Sequence, residues 1–141
     1  MNMQFKDFFD VLEENLADCD DDLSFLHYGP VLFDLLCKIL YEKSIDNVSR
    51  LKINAAIAYI VIPLDTISER FYGAYGYIDD VFLTVYVLRQ IADEYGYPFI
   101  QRLWDRSEDV HSVMDECYGK SVEFLDEDLI DTILKYSGLI E

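Results

Sequence analysis

The chain has 141 residues, of which 52% are apolar and 15% aromatic, enough to bury a core and to exclude a disordered tract. Its 28 Asp and Glu against 11 Lys and Arg give a formal net charge of −17 and a pI near 4.2. Such a field repels phosphate backbones and anionic headgroups, so direct nucleic-acid binding is not expected and membrane association is not favoured. The length fits one domain, residues 1–141, and neither repeats nor low-complexity linkers divide it.

The acidity sits at the two ends. Residues 1–22 carry a net −7, residues 105–141 a net −8, and the middle of the chain only −2. Acidic outer helices around an apolar centre are expected.

In chain order, a first amphipathic helix is predicted over residues 4–17, where Phe5, Phe8, Phe9, Leu12 and Leu16 fall on one face. The acidic run Asp18, Asp20, Asp21 and Asp22 reads as a solvated turn ahead of the next helix. That second helix starts at Ser24 or Pro30 and reaches residue 42, with Pro30 acceptable in a first turn. A third, apolar on most sides, follows a cap at Ser44 or Asp46 and ends at Pro63. After a Gly- and Tyr-rich connection, a fourth spans about 77–95 and stops at Gly96 and Pro98. Its apolar residues surround the axis, which marks a central helix. A fifth helical segment runs from Phe99 to Gly119 with a break near Ser107, and a sixth covers about 126–136 and ends at Gly138. Strand alternation occurs nowhere. The fold class is therefore all-α: a single compact bundle of five to six helices with a central apolar helix pair.

Residues 55–88, AAIAYIVIPLDTISERFYGAYGYIDDVFLTVYVL, resemble the core of the YkvA-like family of helical proteins of unknown function. That pattern is an apolar helix ending in Pro-x-Asp-x-Ile-Pro-Asp/Glu, then Gly-x-hydrophobic-Asp-Asp opening another helix. The matching residues are Pro63, Asp65, Ile67, Glu69, Gly76, Ile78, Asp79 and Asp80, with Ser68 where the family has its second proline. The resemblance implies a helical domain of bacteria and archaea, sometimes joined to other domains or near membranes, and brings no activity with it.

Asp65 and Glu69 are four apart, on one face wherever the chain is helical, and Asp79 with Asp80 opens the next helix. Four clustered carboxylates with no nearby Lys or His suit a hard cation, Mg²⁺, Mn²⁺ or Ca²⁺. Equally, acids in a first helical turn cap free N–H groups and complement the helix dipole. Both readings stand at this level. The loop aromatics Phe71, Tyr72, Tyr75 and Tyr77 form either a partner-binding surface or a plug for the end of the bundle.

Three cysteines, Cys19, Cys37 and Cys117, lack CxxC spacing, and the N-terminus has no basic region followed by an apolar run. A cytoplasmic location is expected. His27 and His111 have no ligand spacing, although pairs of Cys117 with His111 or Cys19 with His27 have the right residue types for nucleophilic chemistry. No nucleotide-binding, esterase or zinc-protease motif occurs. The expected function is a non-enzymatic interaction or accessory module whose acidic exterior engages a protein with a basic surface. The alternative is a metal-dependent hydrolase built on Asp65, Glu69, Asp79 and Asp80. The apolar excess leaves room for a homodimer.

Overall fold

The structure is a computed structural model that describes residues 21–61 and 77–140. The first predicted helix, the connection at 62–76 and the residues Cys19, Asp65, Glu69, Phe71, Tyr72 and Tyr75 lie outside the described residues.

The described chain begins with a 3-10 helix, Asp21–Tyr28, whose tight three-residue turn stacks buried Leu23 over buried Leu26. It runs without a break into α1, Gly29–Leu40, because Tyr28 already has right-handed helical angles and Pro30 fits a first turn. Leu32, Leu35, Leu36 and Ile39 give α1 a single buried face. The window Leu23–Leu40 has a mean hydropathy of 1.4, long and apolar enough to cross a bilayer by length and composition alone. Half of it is buried inside the bundle, as core helices commonly are.

Helix α2, Asn47–Val61, starts where Asp46 accepts a hydrogen bond from Ser49 N at 2.7 Å, which also holds the Asp46 carboxyl below its ordinary range. Of the two candidate caps the structure uses Asp46. From α2, the Arg50 guanidinium donates to the carbonyls of Leu40 at 2.6 Å and Glu42 at 2.8 Å, satisfying acceptors at the end of α1. Ile53, Ala56, Ile57 and Ile60 are buried, whereas Val48 and Leu51 are 60% and 69% exposed. The third predicted helix is apolar on most sides, as expected, but only one of those sides is buried.

Helix α3, Ile78–Tyr95, is the enclosed member of the central pair. Residues 78–85 are all buried, followed by Val87, Leu88, Ile91 and Ala92. It packs against α1 and α2 and against the three helices that follow it. The chain turns at Gly96, whose φ of 90° favours glycine, and enters α4, Tyr97–Leu103, at once. Residues 104–109 make the break expected near Ser107.

Helix α5, Val110–Phe124, is capped by Asp109, which accepts from Ser112 N at 3.1 Å; Gln101 also accepts from Val110 N at 2.8 Å. It runs through Gly119 to Phe124, correcting the expected stop. A Gly with no left-handed angle does not end a helix whose neighbours Cys117 and Ser121 are drawn into the core. Helix α6, Glu127–Ser137, has Asp126 as its cap, Glu127 and Asp128 in its first turn, and left-handed Gly138 at its end. The described residues contain no strand. The all-α compact bundle read from the sequence is the fold observed.

A Cβ built at Gly119 would meet nothing within 4 Å. Gly119→Ala should therefore raise stability by about 0.5–1 kcal/mol in urea unfolding with an unchanged m-value. A loss would show that α5 needs glycine there.

Candidate functional site

Helices α2 and α3 run antiparallel, clasped at both ends by polar contacts. At one end the Tyr95 hydroxyl accepts from Asp46 N at 2.8 Å, and Ser49 Oγ donates to Glu94 at 3.2 Å. At the other, Tyr59 Oη donates to Asp79 Oδ2 at 2.7 Å. Asp79 Oδ1 accepts from Asp80 N at 2.9 Å, so both carboxylate oxygens of Asp79 are engaged. Asp79 is 0% and Asp80 2% exposed. Burying carboxylates this deeply is costly unless charge-assisted hydrogen bonds and a helix N-terminus offset it, and Asp79 has both. The Asp80 carbonyl accepts from Thr84 Oγ1 at 2.8 Å, which closes the same turn.

This geometry bears on the four-carboxylate cluster. Consecutive helix residues project about 100° apart, so Asp79 and Asp80 would reach a shared cation only from different sides of the helix start, with further ligands supplied by other parts of the chain. Asp65 and Glu69 lie outside the described residues. Among those described, no group of three or more His, Cys, Asp or Glu is placed to hold a metal ion. Tyr77 is 3% exposed and belongs to the hydrophobic core. Of the two readings given for it, a partner-binding surface or a plug for the end of the bundle, burial at the head of α3 fits the plug and not the exposed surface. Phe71, Tyr72 and Tyr75 lie outside the described residues.

Tyr59 was missed in the sequence reading. Its signal was a lone phenol in the aliphatic run Ala58, Ile60, Val61, since a buried Tyr hydroxyl almost always has a partner.

The pairing of Cys117 with His111 is not formed, and that of Cys19 with His27 falls on a residue outside the described ones. Cys117 is buried on the inner face of α5, where its thiol donates to the Phe25 carbonyl at 3.8 Å. His111 lies exposed, stacked on the Tyr97 ring at 3.7 Å and 3.4 Å from Asp115. Burial pushes the Cys117 thiol up to about 12, and that of Cys37 up to about 11, so neither is a thiolate at neutral pH.

On the surface the bases are largely committed within the chain. Lys38 pairs with Asp34 and Asp105, Arg102 with Glu42, Arg106 with Glu108, and Lys135 with Asp131, all exposed or half-exposed. Arg89 lies over the Tyr118 ring at 3.8 Å. The outer faces of α5 and α6 keep a surplus of exposed acids: Asp115, Glu116, Glu123, Glu127, Asp128 and Asp131 against Lys120 and Lys135.

The family model described as protein of unknown function (DUF1232) matches residues 49–86, from the start of α2 through the first half of α3. Among curated proteins, "Uncharacterized protein ORF9" of Methanothermobacter thermautotrophicus is 34% identical over 117 residues, covering 78% of this chain and 76% of that protein. No solved structure matches the chain significantly.

Removing the Tyr59 hydroxyl leaves a buried carboxylate short of a donor. Tyr59→Phe should cost about 1–3 kcal/mol in urea unfolding, and the loss should shrink in an Asp79→Asn background. Equal losses in both backgrounds would show that the two groups are not coupled.

Proposed function

The chain belongs to the DUF1232 family of proteins of unknown function, and from its own surface we propose that it is a non-enzymatic interaction module whose acidic exterior docks on a basic protein surface. The observation that supports this is the uneven commitment of charge. The exposed bases are mostly met by acids of the same chain, while α5 and α6 present carboxylates in excess. Surface ion pairs contribute little to stability, so this distribution costs the fold little and leaves the acids available. A field of one sign accelerates encounter with an oppositely charged partner and imposes order on its approach.

The test is capture from a native lysate by wild type and by an Asp115→Asn/Glu123→Gln/Glu127→Gln/Asp128→Asn variant. One basic protein should bind wild type, elute with salt, and bind the variant about tenfold more weakly. A partner held equally by both, or none that distinguishes them, would remove α5 and α6 as the docking surface.

A second reading is supported by the depth of Asp79 and Asp80, two carboxylates carried into the interior within the family-matched segment. In that reading they join Asp65 and Glu69 around a divalent cation, which activates water or braces the bundle. A cation that binds only the folded state raises the melting temperature, whereas screening of the net charge acts on wild type and variant alike. Melting in EDTA and then in millimolar Mg²⁺, Mn²⁺ or Ca²⁺ at matched ionic strength should therefore raise wild type more than Asp80→Asn. Equal rises would dispose of the cation site.

A further inference from the structure

A cleft of about 340 Å³ opens where the 3-10 helix meets the loop before α5 and the outer face of α5 itself. Ser24, Phe25, His27 and Tyr28 line one side, Arg106 and Glu116 the other. Its volume lies at the small end of ligand pockets, about 300–1,000 Å³, and matches a free amino acid with room for water.

The chemistry of the walls is mixed in a particular way. Arg106 gives Nε and Nη2 to Glu108 at 3.0–3.2 Å, which fixes the plane of the guanidinium and leaves the Nη1 edge uncommitted among the described residues. Glu116 is exposed and makes no ion pair with a described residue, and Ser24 and His27 are likewise without a described hydrogen-bond partner. Tyr28 is half-buried between them. Desolvation first, then Glu108 and Glu116, push its phenol above the ordinary value, so it stays an O–H donor at neutral pH beside an apolar ring face. The cleft thus holds a planar cationic donor, a neutral O–H donor and a separate carboxylate acceptor around one aromatic wall.

A simple anion would meet Arg106 but also Glu116, Glu108 and the field of a −17 chain. A simple cation would be drawn in by that field but would meet Arg106 as well as Glu116, since Glu108 is already paired with Arg106. We propose that this cleft binds a small zwitterion of free-amino-acid size, its carboxylate against Arg106 and its ammonium against Glu116. Ser24 and His27 supply further polar contacts, and the Tyr28 ring covers an apolar side chain. The site is separate from Asp79 and Asp80 and does not depend on the docking role of α6.

The test is a ¹⁵N–¹H titration of the full chain with L-phenylalanine, L-leucine and glycine at fixed ionic strength, against two truncated probes: 3-phenylpropionate, which lacks the ammonium, and L-phenylalaninamide, which lacks the carboxylate. At least one amino acid should shift the amides of Ser24, His27, Tyr28 and Glu116 saturably. Each truncated probe should bind about tenfold more weakly than L-phenylalanine, as should L-phenylalanine to Glu116→Gln and to Arg106→Met. No saturable shift at these amides up to about 50 mM would overturn the proposal. So would equal binding of L-phenylalaninamide and L-phenylalanine, which would reduce the site to cation attraction. Should a variant fail to fold, the comparison of probes on wild type decides alone.

Discussion

A helix whose first turns are enclosed on every side has no water to satisfy the polar groups where it starts, and in this bundle that helix is α3. The remaining architecture answers its needs. Helices α1, α2, α4, α5 and α6 each contribute an apolar face to cover it, and each can stay polar outside because one stripe suffices. At its N-terminus, where free N–H groups would otherwise be buried, Asp79 turns a carboxylate back onto the Asp80 amide and is held from the far side by the Tyr59 hydroxyl. At its C-terminus, Tyr95 and Glu94 reach the first turn of α2. The α2–α3 pair is therefore registered by polar contacts at both ends and by apolar packing between them.

This arrangement gives the matched family segment a physical meaning. Residues 49–86 hold the buried face of α2, the Tyr59 hydroxyl and the carboxylate it meets. A polar group inside an apolar core is tolerated in few places, and the Tyr59–Asp79 hydrogen bond is one that the observed register of the two helices satisfies. The same contact accounts for why the first of the paired acids cannot act as a freely exposed ligand or base.

Outside the core the charge follows a different rule. The exposed acids of α5 and α6 include the caps of both helices, Asp109 and Asp126, and first-turn acids that complement the α6 dipole. Those roles account for part of the acidity. Asp115, Glu116 and Glu123 stand in the middle or last turns of α5, where the helix dipole does not favour negative charge, and these are the positions that the proposed partner or ligand would use.

Much of the fold was legible from periodicity and punctuation. Gly96 and Pro98 marked the end of α3, Gly138 the end of α6, and the apolar residues around α3 marked it as central, because left-handed angles and buried helix faces restrict residue type locally. Gly119 misled because a glycine ends a helix only when packing does not carry the helix onward. The exposure of Val48 and Leu51 was not legible, because composition does not say which of two apolar faces meets the core. The sequence by itself determined the all-α class, the approximate spans of the described helices and the excess of acid, all properties of neighbours along the chain. Only the tertiary structure decided that Tyr59 meets Asp79, that Tyr77 turns inward, and that Arg106 and Glu116 share a cleft with Tyr28. Tyr59 and Asp79 are 20 residues apart, and Tyr28 lies on a different element from Arg106 and Glu116; such chain-distant partners are chosen by the packing of whole helices rather than by any local preference.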